Sequence, residues 1–318
     1  MPILNTDITI IIDIIDYIET IELTKIKSFL KFYGDELMPV LVYANFKGGV
    51  GKTTNSVMTA YQLAKNGYKT LVCDLDPQAN ATQLLSRTYK RQTKKDLQID
   101  ETMMVALSEQ TIDKAIVKII DNLYLLPSDD DFTEYPKFLE RKFLPTNEGY
   151  EEKRIAYFSS QLSKVKDDYD YVIVDVPPTL SIFTDSAVYA SDDIIIVLQT
   201  QQQSLDGAIG FFNYLQRTYD EYQPVDFDIL GVLPVLLENR AGLDSQILQD
   251  ARKVFGKDKV FKNIIKHMQR LKRYGREGIA DKDSEFGKGD FHDIRVHYVY
   301  NQLTKEILDR VKKASEQD

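Results

Sequence analysis

The stretch "ANFKGGVGKTTN", residues Ala44–Asn55, follows an apolar run, "VLVY", and opens a helical pattern. A glycine-rich turn between a buried strand and a helix start permits few structures. Its glycines let successive backbone N–H groups turn toward an anion, and the helix N-terminus adds partial positive charge. In that arrangement Gly48, Gly49, Val50 and Gly51 form a phosphate cradle and Lys52 reaches the outer phosphates of a nucleotide. Thr53 offers its hydroxyl to Mg²⁺, and Thr54 touches the innermost phosphate. A second lysine, Lys47, precedes the first glycine, where a cradle already served by Lys52 has no need of one.

A divalent ion on phosphates calls for a carboxylate at a neighbouring strand end. "YDYVIVDVPP" supplies Asp175, at the end of an apolar run stopped by Pro177 and Pro178. "LVCDLDPQANAT", Leu71–Thr82, supplies two more carboxylates after a strand. Asp76 is the candidate for positioning the attacking water, and Asp74 for supporting the magnesium shell; a plain turn role is the alternative for either.

Strand-like runs at Val40–Ala44, Thr70–Asp74, Leu123–Leu126, Tyr171–Asp175, Asp193–Leu198 and Ile229–Val232 alternate with helical patterns such as Lys52–Lys65, Glu151–Lys166 and Ser204–Tyr219. The alternation predicts an α/β domain over residues 39–318, a mostly parallel twisted sheet with helices on both faces. Residues 1–38 read as a short N-terminal helical extension closed by Pro39, and Pro127–Tyr150 as an irregular excursion. One cysteine, Cys73, excludes a disulfide framework or a four-cysteine metal site. The three histidines, His267, His292 and His297, read as structural. No basic leader or long apolar span is visible, so a cytoplasmic protein without a membrane anchor is expected.

These motifs together resemble the ParA/Soj/MinD family of deviant Walker A ATPases. "KGGVGKTT" is similar to its phosphate loop, "DLDPQANAT" to the segment after its second strand, and "YDYVIVDVPP" to its Walker B strand. "LQTQQQSLDGAIGFFNYL" is similar to its glutamine-containing strand end, and the likeness runs over roughly residues 38–314. The resemblance implies ATP and Mg²⁺, with Pro234 near the base. It also implies an ATP-dependent homodimer in which Lys47 crosses to the partner's phosphates.

Branches of the family differ in the surface they ride on. The tail "LTKEILDRVKKASEQD" lacks the bulky aromatics of a membrane foot and reads as a helix packed on the sheet. Between Arg252 and Arg276 ten basic residues face one carboxylate, Asp258, in a chain of net charge −9. Lys262, Lys266, Arg270, Lys272, Arg273 and Arg276 are therefore the candidate contacts to nonspecific double-stranded DNA, through its phosphates. Tyr274 and Gly275 suggest a turn within that run, and a second basic stretch, "RTYKRQTKKD", Arg87–Asp96, reads as a flexible loop, with a widening of the patch as the alternative. The resulting expectation is a nucleoid-associated ParA-like partition ATPase of weak basal activity, stimulated by a centromere-binding, ParB-type partner. A MinD-like positioning ATPase on a membrane or protein scaffold is the alternative.

Overall fold

The alternation of side chains along the first strand shows how the fold is built. Val40, Val42 and Ala44 enter one hydrophobic core and Leu41 and Tyr43 the other, so the strand is buried on both faces. A strand in that position must be apolar throughout, which only a sheet covered by two helical layers satisfies. The computed structural model describes residues 39–222, 225–237, 242–282 and 288–316; the expected N-terminal extension, 1–38, lies outside the described residues.

The strands are β1 (Val40–Ala44), β2 (Thr70–Asp74), β3 (Val117–Ile120), β4 (Leu123–Leu126), β5 (Tyr171–Asp175), β6 (Asp193–Gln199), β7 (Asp228–Leu237) and β8 (Ile265–Lys266). They form one sheet in the order β3-β4-β2-β5-β1-β6-β7-β8, parallel except for the antiparallel β3–β4 pair. One face is covered by α1 (Lys52–Lys65), α2 (Asn80–Thr93), α10 (Gln269–Glu277) and α11 (Phe291–Ser315), through Val57, Leu84, Leu271 and Tyr300. The other carries α3 (Met103–Glu109), α4 (Ile112–Ala115), α5 (Tyr135–Lys142), α6 (Tyr150–Leu162), α7 (Ile182–Tyr189), α8 (Gln202–Glu221) and α9 (Leu243–Phe255). Because the strands run parallel, the loops after β1, β2, β5 and β6 all open on one edge. That edge is where open α/β sheets bind ligands.

Three expectations are corrected. Pro127–Tyr150 is not irregular throughout: a 3₁₀ turn at Asp130–Glu134 leads into α5, whose apolar side packs through Tyr135 and Leu139. Arg87–Thr93 is the second half of α2, not a loop, because Thr88 continues the buried face that Leu84 and Leu85 give the helix. Tyr274 and Gly275 lie inside α10; Tyr274 is buried and donates to Asp293, and the helix stops only at Gly278. The strands β3 and β8, of four and two residues, are too short to have been legible.

Gly278 is where α10 meets α2. Its φ of +81° is left-handed, and a Cβ there would stand 2.4 Å from the Arg87 carbonyl oxygen. Gly278→Ala is expected to cost about 2–3 kcal/mol through strain and backbone overlap. A thermal melt should show a drop of roughly 4–8 °C; an unchanged melting temperature would contradict this packing.

Candidate nucleotide site and basic face

The loop after β1 turns through left-handed values at Gly49 (φ +74°) and Gly51 (φ +89°) before α1 begins. Such values let neighbouring N–H groups converge on an anion, and they strain any residue with a Cβ. Asn55 ties the turn down by donating to the Gly51 carbonyl at 2.7 Å, and Tyr300 of α11 donates to Asn55 at 2.9 Å. Asn45 anchors the other side, donating to the Val197 carbonyl at 2.7 Å and accepting from the Lys47 backbone N–H at 2.9 Å.

The two lysines part company here. Lys52 is buried, with Nζ donating to the carbonyls of Asn45 at 3.2 Å and Lys47 at 3.4 Å. Burial lowers its pKa, opposed by the nearby Asp175 and Asp76. Lys47 is partly exposed and donates to Gln201 Oε1 at 2.8 Å on the neighbouring loop.

Asp175 is fully buried and accepts from Thr53 Oγ1 at 2.7 Å and Ser56 Oγ at 3.1 Å. Asp74 stands beside it in register and accepts from the Thr82 backbone N–H and hydroxyl, both at 2.8 Å. Burial pushes both carboxyls above the usual range; Asp175 raises Asp74 further, while Thr53 and Lys52 pull Asp175 back. Asp74 is thus committed to holding the start of α2. Asp76 lies in the turn before α2, largely covered, and accepts from the Gln78 N–H at 2.9 Å. Pro234 is buried within β7 opposite Leu198.

The structure therefore brings Lys47, Lys52, Thr53, Asp74, Asp76 and Asp175 to one sheet edge. The partners Asn45, Ser56 and Thr82 escape sequence reading; a polar residue just past a buried strand or one turn into a helix is the faint signal each leaves. No group of three or more His, Cys, Asp or Glu side chains among the described residues could hold a metal alone. The donor set, one hydroxyl backed by a buried carboxylate beside a phosphate cradle, suits Mg²⁺, which keeps waters and leans on substrate phosphates. Chemically, the edge can hold a polyphosphate, neutralise it and orient water beside it.

The basic face lies on α10 and α11. A cleft of about 1100 Å³ is lined by Lys266, Arg273, Arg276, His292 and Arg295 among others. Lys272 is exposed on the same helix. Arg273 is exposed and pairs with Glu277 within α10 at 3.0 Å; Arg270, only 13% exposed, pairs with Asp290 and Asp293 and so fastens α10 to the start of α11. Lys262 faces a separate cleft of about 680 Å³ with Lys257 and Lys259, so the basic run is not one patch. Arg87 and Arg91 of α2 meet Gly275 and Glu277 of α10, which brings the second basic stretch to the first. His297 is structural as expected, bonded to Gln62 and the Ala280 carbonyl.

Residues 38–227 match the AAA domain family. The sporulation initiation inhibitor protein Soj of Bacillus subtilis is 32% identical over 234 residues, 73% of this chain and 85% of its own length. The chain belongs to the ParA/Soj family of partition-type ATPases. The chromosome partitioning protein ParA of Caulobacter vibrioides, another ParA/Soj relative, is 30% identical over 85% of this chain and 94% of its own. Among solved structures, a plasmid partition protein of Borrelia burgdorferi bound to AMPPNP shares the fold at a TM-score of 0.65 and 21% identity. The alignment covers 87% of this chain and 99% of that one. A Mycobacterium smegmatis cobyrinic acid a,c-diamide synthase with ADP and magnesium superposes at 0.61 with 26% identity, over 76% and 92% of the two chains. No described helix is long and apolar enough to cross a membrane.

Proposed function

We propose that this chain is a DNA partition ATPase whose ATP-bound form is a homodimer that grips nonspecific DNA. The observation that carries the reading is the separation of the two lysines: Lys52 Nζ bonds to backbone carbonyls of its own loop, while Lys47 Nζ bonds to Gln201 on the neighbouring loop. A partly exposed cation engaged outside its own loop supports the reading that it is lent to a facing copy. Two sandwiched triphosphates concentrate negative charge, and a lysine donated by each protomer would neutralise the other's. Nucleotide then controls pairing by linkage.

Within one protomer, Lys52 holds the outer phosphates, and Thr53 holds an ion position backed by Asp175. When bound, Mg²⁺ supplies charge neutralisation on those phosphates. Asp76 orients the attacking water, and Asp74 keeps the turn carrying Asp76 in place. Basal turnover is slow, and a ParB-type partner on the cargo accelerates it. The likeness of the chain to Soj and ParA supports this cycle.

DNA is held through phosphates by Lys266, Lys272, Arg273, Arg276 and Arg295. Replacing Lys272 and Arg273 together by Ala is expected to weaken ATP-dependent DNA binding by about 10²-fold at moderate salt and to lower the salt slope by about 2. ATP hydrolysis without DNA should stay as it was. A mobility-shift titration with ATP and with ADP, run beside liposome sedimentation, reads this directly. Equal DNA binding in both nucleotide states, or ATP-dependent binding to liposomes instead, would overturn the proposal in favour of a MinD-like role.

A further inference from the structure

His292, Arg295 and Val299 of α11 line the basic cleft, while Tyr300 of the same helix is wholly buried and reaches the phosphate loop through one intermediary. Its hydroxyl donates to Asn55 Oδ1 at 2.9 Å, and Asn55 Nδ2 donates to the Gly51 carbonyl at 2.7 Å. A carbonyl only accepts, so the Asn55 amide gives Gly51 its NH₂ and turns its oxygen to a donor. Tyr300 is that donor. Asn55 is 2% exposed and Tyr300 not at all, so bulk water does not compete for either bond.

The Gly51 carbonyl governs more than itself. The Gly51–Lys52 peptide is trans, so its C=O and N–H point in opposite directions. The carbonyl is held along α1, where it also accepts the Asn55 backbone N–H at 3.0 Å. That hold aims the Lys52 N–H out of the helix start and into the cradle. Glycine's wide range of φ leaves this peptide plane easy to turn, and the Asn55 side chain restricts it. Farther along α1, Gln62 bonds to His297 at 2.6 Å and Asn66 donates to Asn301 at 3.1 Å. The two helices therefore carry each other's position, and the Tyr300–Asn55 bond extends that hold to the loop.

We propose that Tyr300 is a positioning residue for the nucleotide and the contact through which α11 and the phosphate loop control each other. The seating of α11 sets the aim of the Lys52 N–H, and an occupied loop fixes the seating of α11. Such coupling is reciprocal, one factor serving both directions. It needs neither a second copy nor DNA.

Two measurements on the full chain test this. The first is titration with a fluorescent ADP. Tyr300→Phe keeps the ring and removes the donor, and ADP affinity should fall about tenfold. Asn55→Ala should cost at least as much. The double variant should lie within about twofold of Asn55→Ala, because the hydroxyl then has nothing left to hold. Leu303→Val loosens the same helix in the same core and removes no hydrogen bond; its ADP affinity should stay within about twofold of the parent's. Losses from Tyr300→Phe and Asn55→Ala that multiply, or an equal loss in Leu303→Val, would overturn the positioning role. The second measurement is amide hydrogen exchange. ADP should slow exchange across Val296–Thr304 several-fold more in the parent than in Tyr300→Phe. Both are read at one ratio of ADP to Kd, so that stabilisation of the whole domain contributes equally. Equal slowing in the two proteins would overturn the control of the helix by the loop.

Discussion

Replacing Lys47 by Ala is expected to abolish ATP-dependent dimerisation while leaving ADP binding close to that of the parent chain. Among the described residues its side chain makes one hydrogen bond, to the exposed Gln201, and it stands partly in solvent, so its removal leaves no buried partner there unpaired. The fold should not suffer. Across a dimer the situation reverses. A cation facing a partner's triphosphate away from water makes charge-assisted contacts whose loss costs about 2–5 kcal/mol. Each protomer loses one, so dimer affinity should fall by at least about 10³-fold. Trans-acting cations of this kind are worth about 10³–10⁵ in turnover, so the partner-stimulated rate should collapse as well. Light scattering with ATP and with ADP separates the two outcomes. A variant that still pairs normally with ATP would remove the trans role.

Asp76→Ala should separate hydrolysis from binding in the other direction. Asp76 accepts the Gln78 N–H within its own turn, whereas Asp74 accepts from both the backbone and the hydroxyl of Thr82. Loss of Asp76 therefore leaves the frame standing. As the group that orients water and draws off its proton, Asp76 should contribute about 10²–10⁴ in rate. The variant is expected to bind ATP, to dimerise and to stay on DNA, with single-turnover hydrolysis slowed by that factor. Retention of normal turnover would hand the role to another group. Asp74→Asn is the informative companion: it keeps shape but disturbs the acceptor of Thr82, so it should lower stability as well as rate.

Much of the site was legible because its chemistry is local. The glycine loop, Lys47, Lys52 and Thr53 lie within a few residues of one another, and Asp175 is marked by its position at the end of an apolar strand. The central strands were legible because burial on both faces leaves no room for polar residues. The misreadings share a cause. At Arg87–Thr93 and at Tyr274–Gly275 the surface side of a helix is dense with charge, and what makes it a helix is a sparse buried face, Thr88 in one and Leu271 and Tyr274 in the other. Local sequence shows the charge; only the packed sheet shows the face. Arg270 was invisible for the same reason. Nothing near it in sequence reveals that Asp290 and Asp293, twenty residues on, claim its guanidinium.

The most direct test of the central claim is a crystal structure of the full chain with a non-hydrolysable ATP analogue and Mg²⁺. The account predicts two copies face to face across their nucleotides. Each Lys47 Nζ would have left Gln201 for hydrogen-bonding distance of the other copy's phosphates. Copies whose nucleotides face apart, with Lys47 still on its own Gln201, would contradict it.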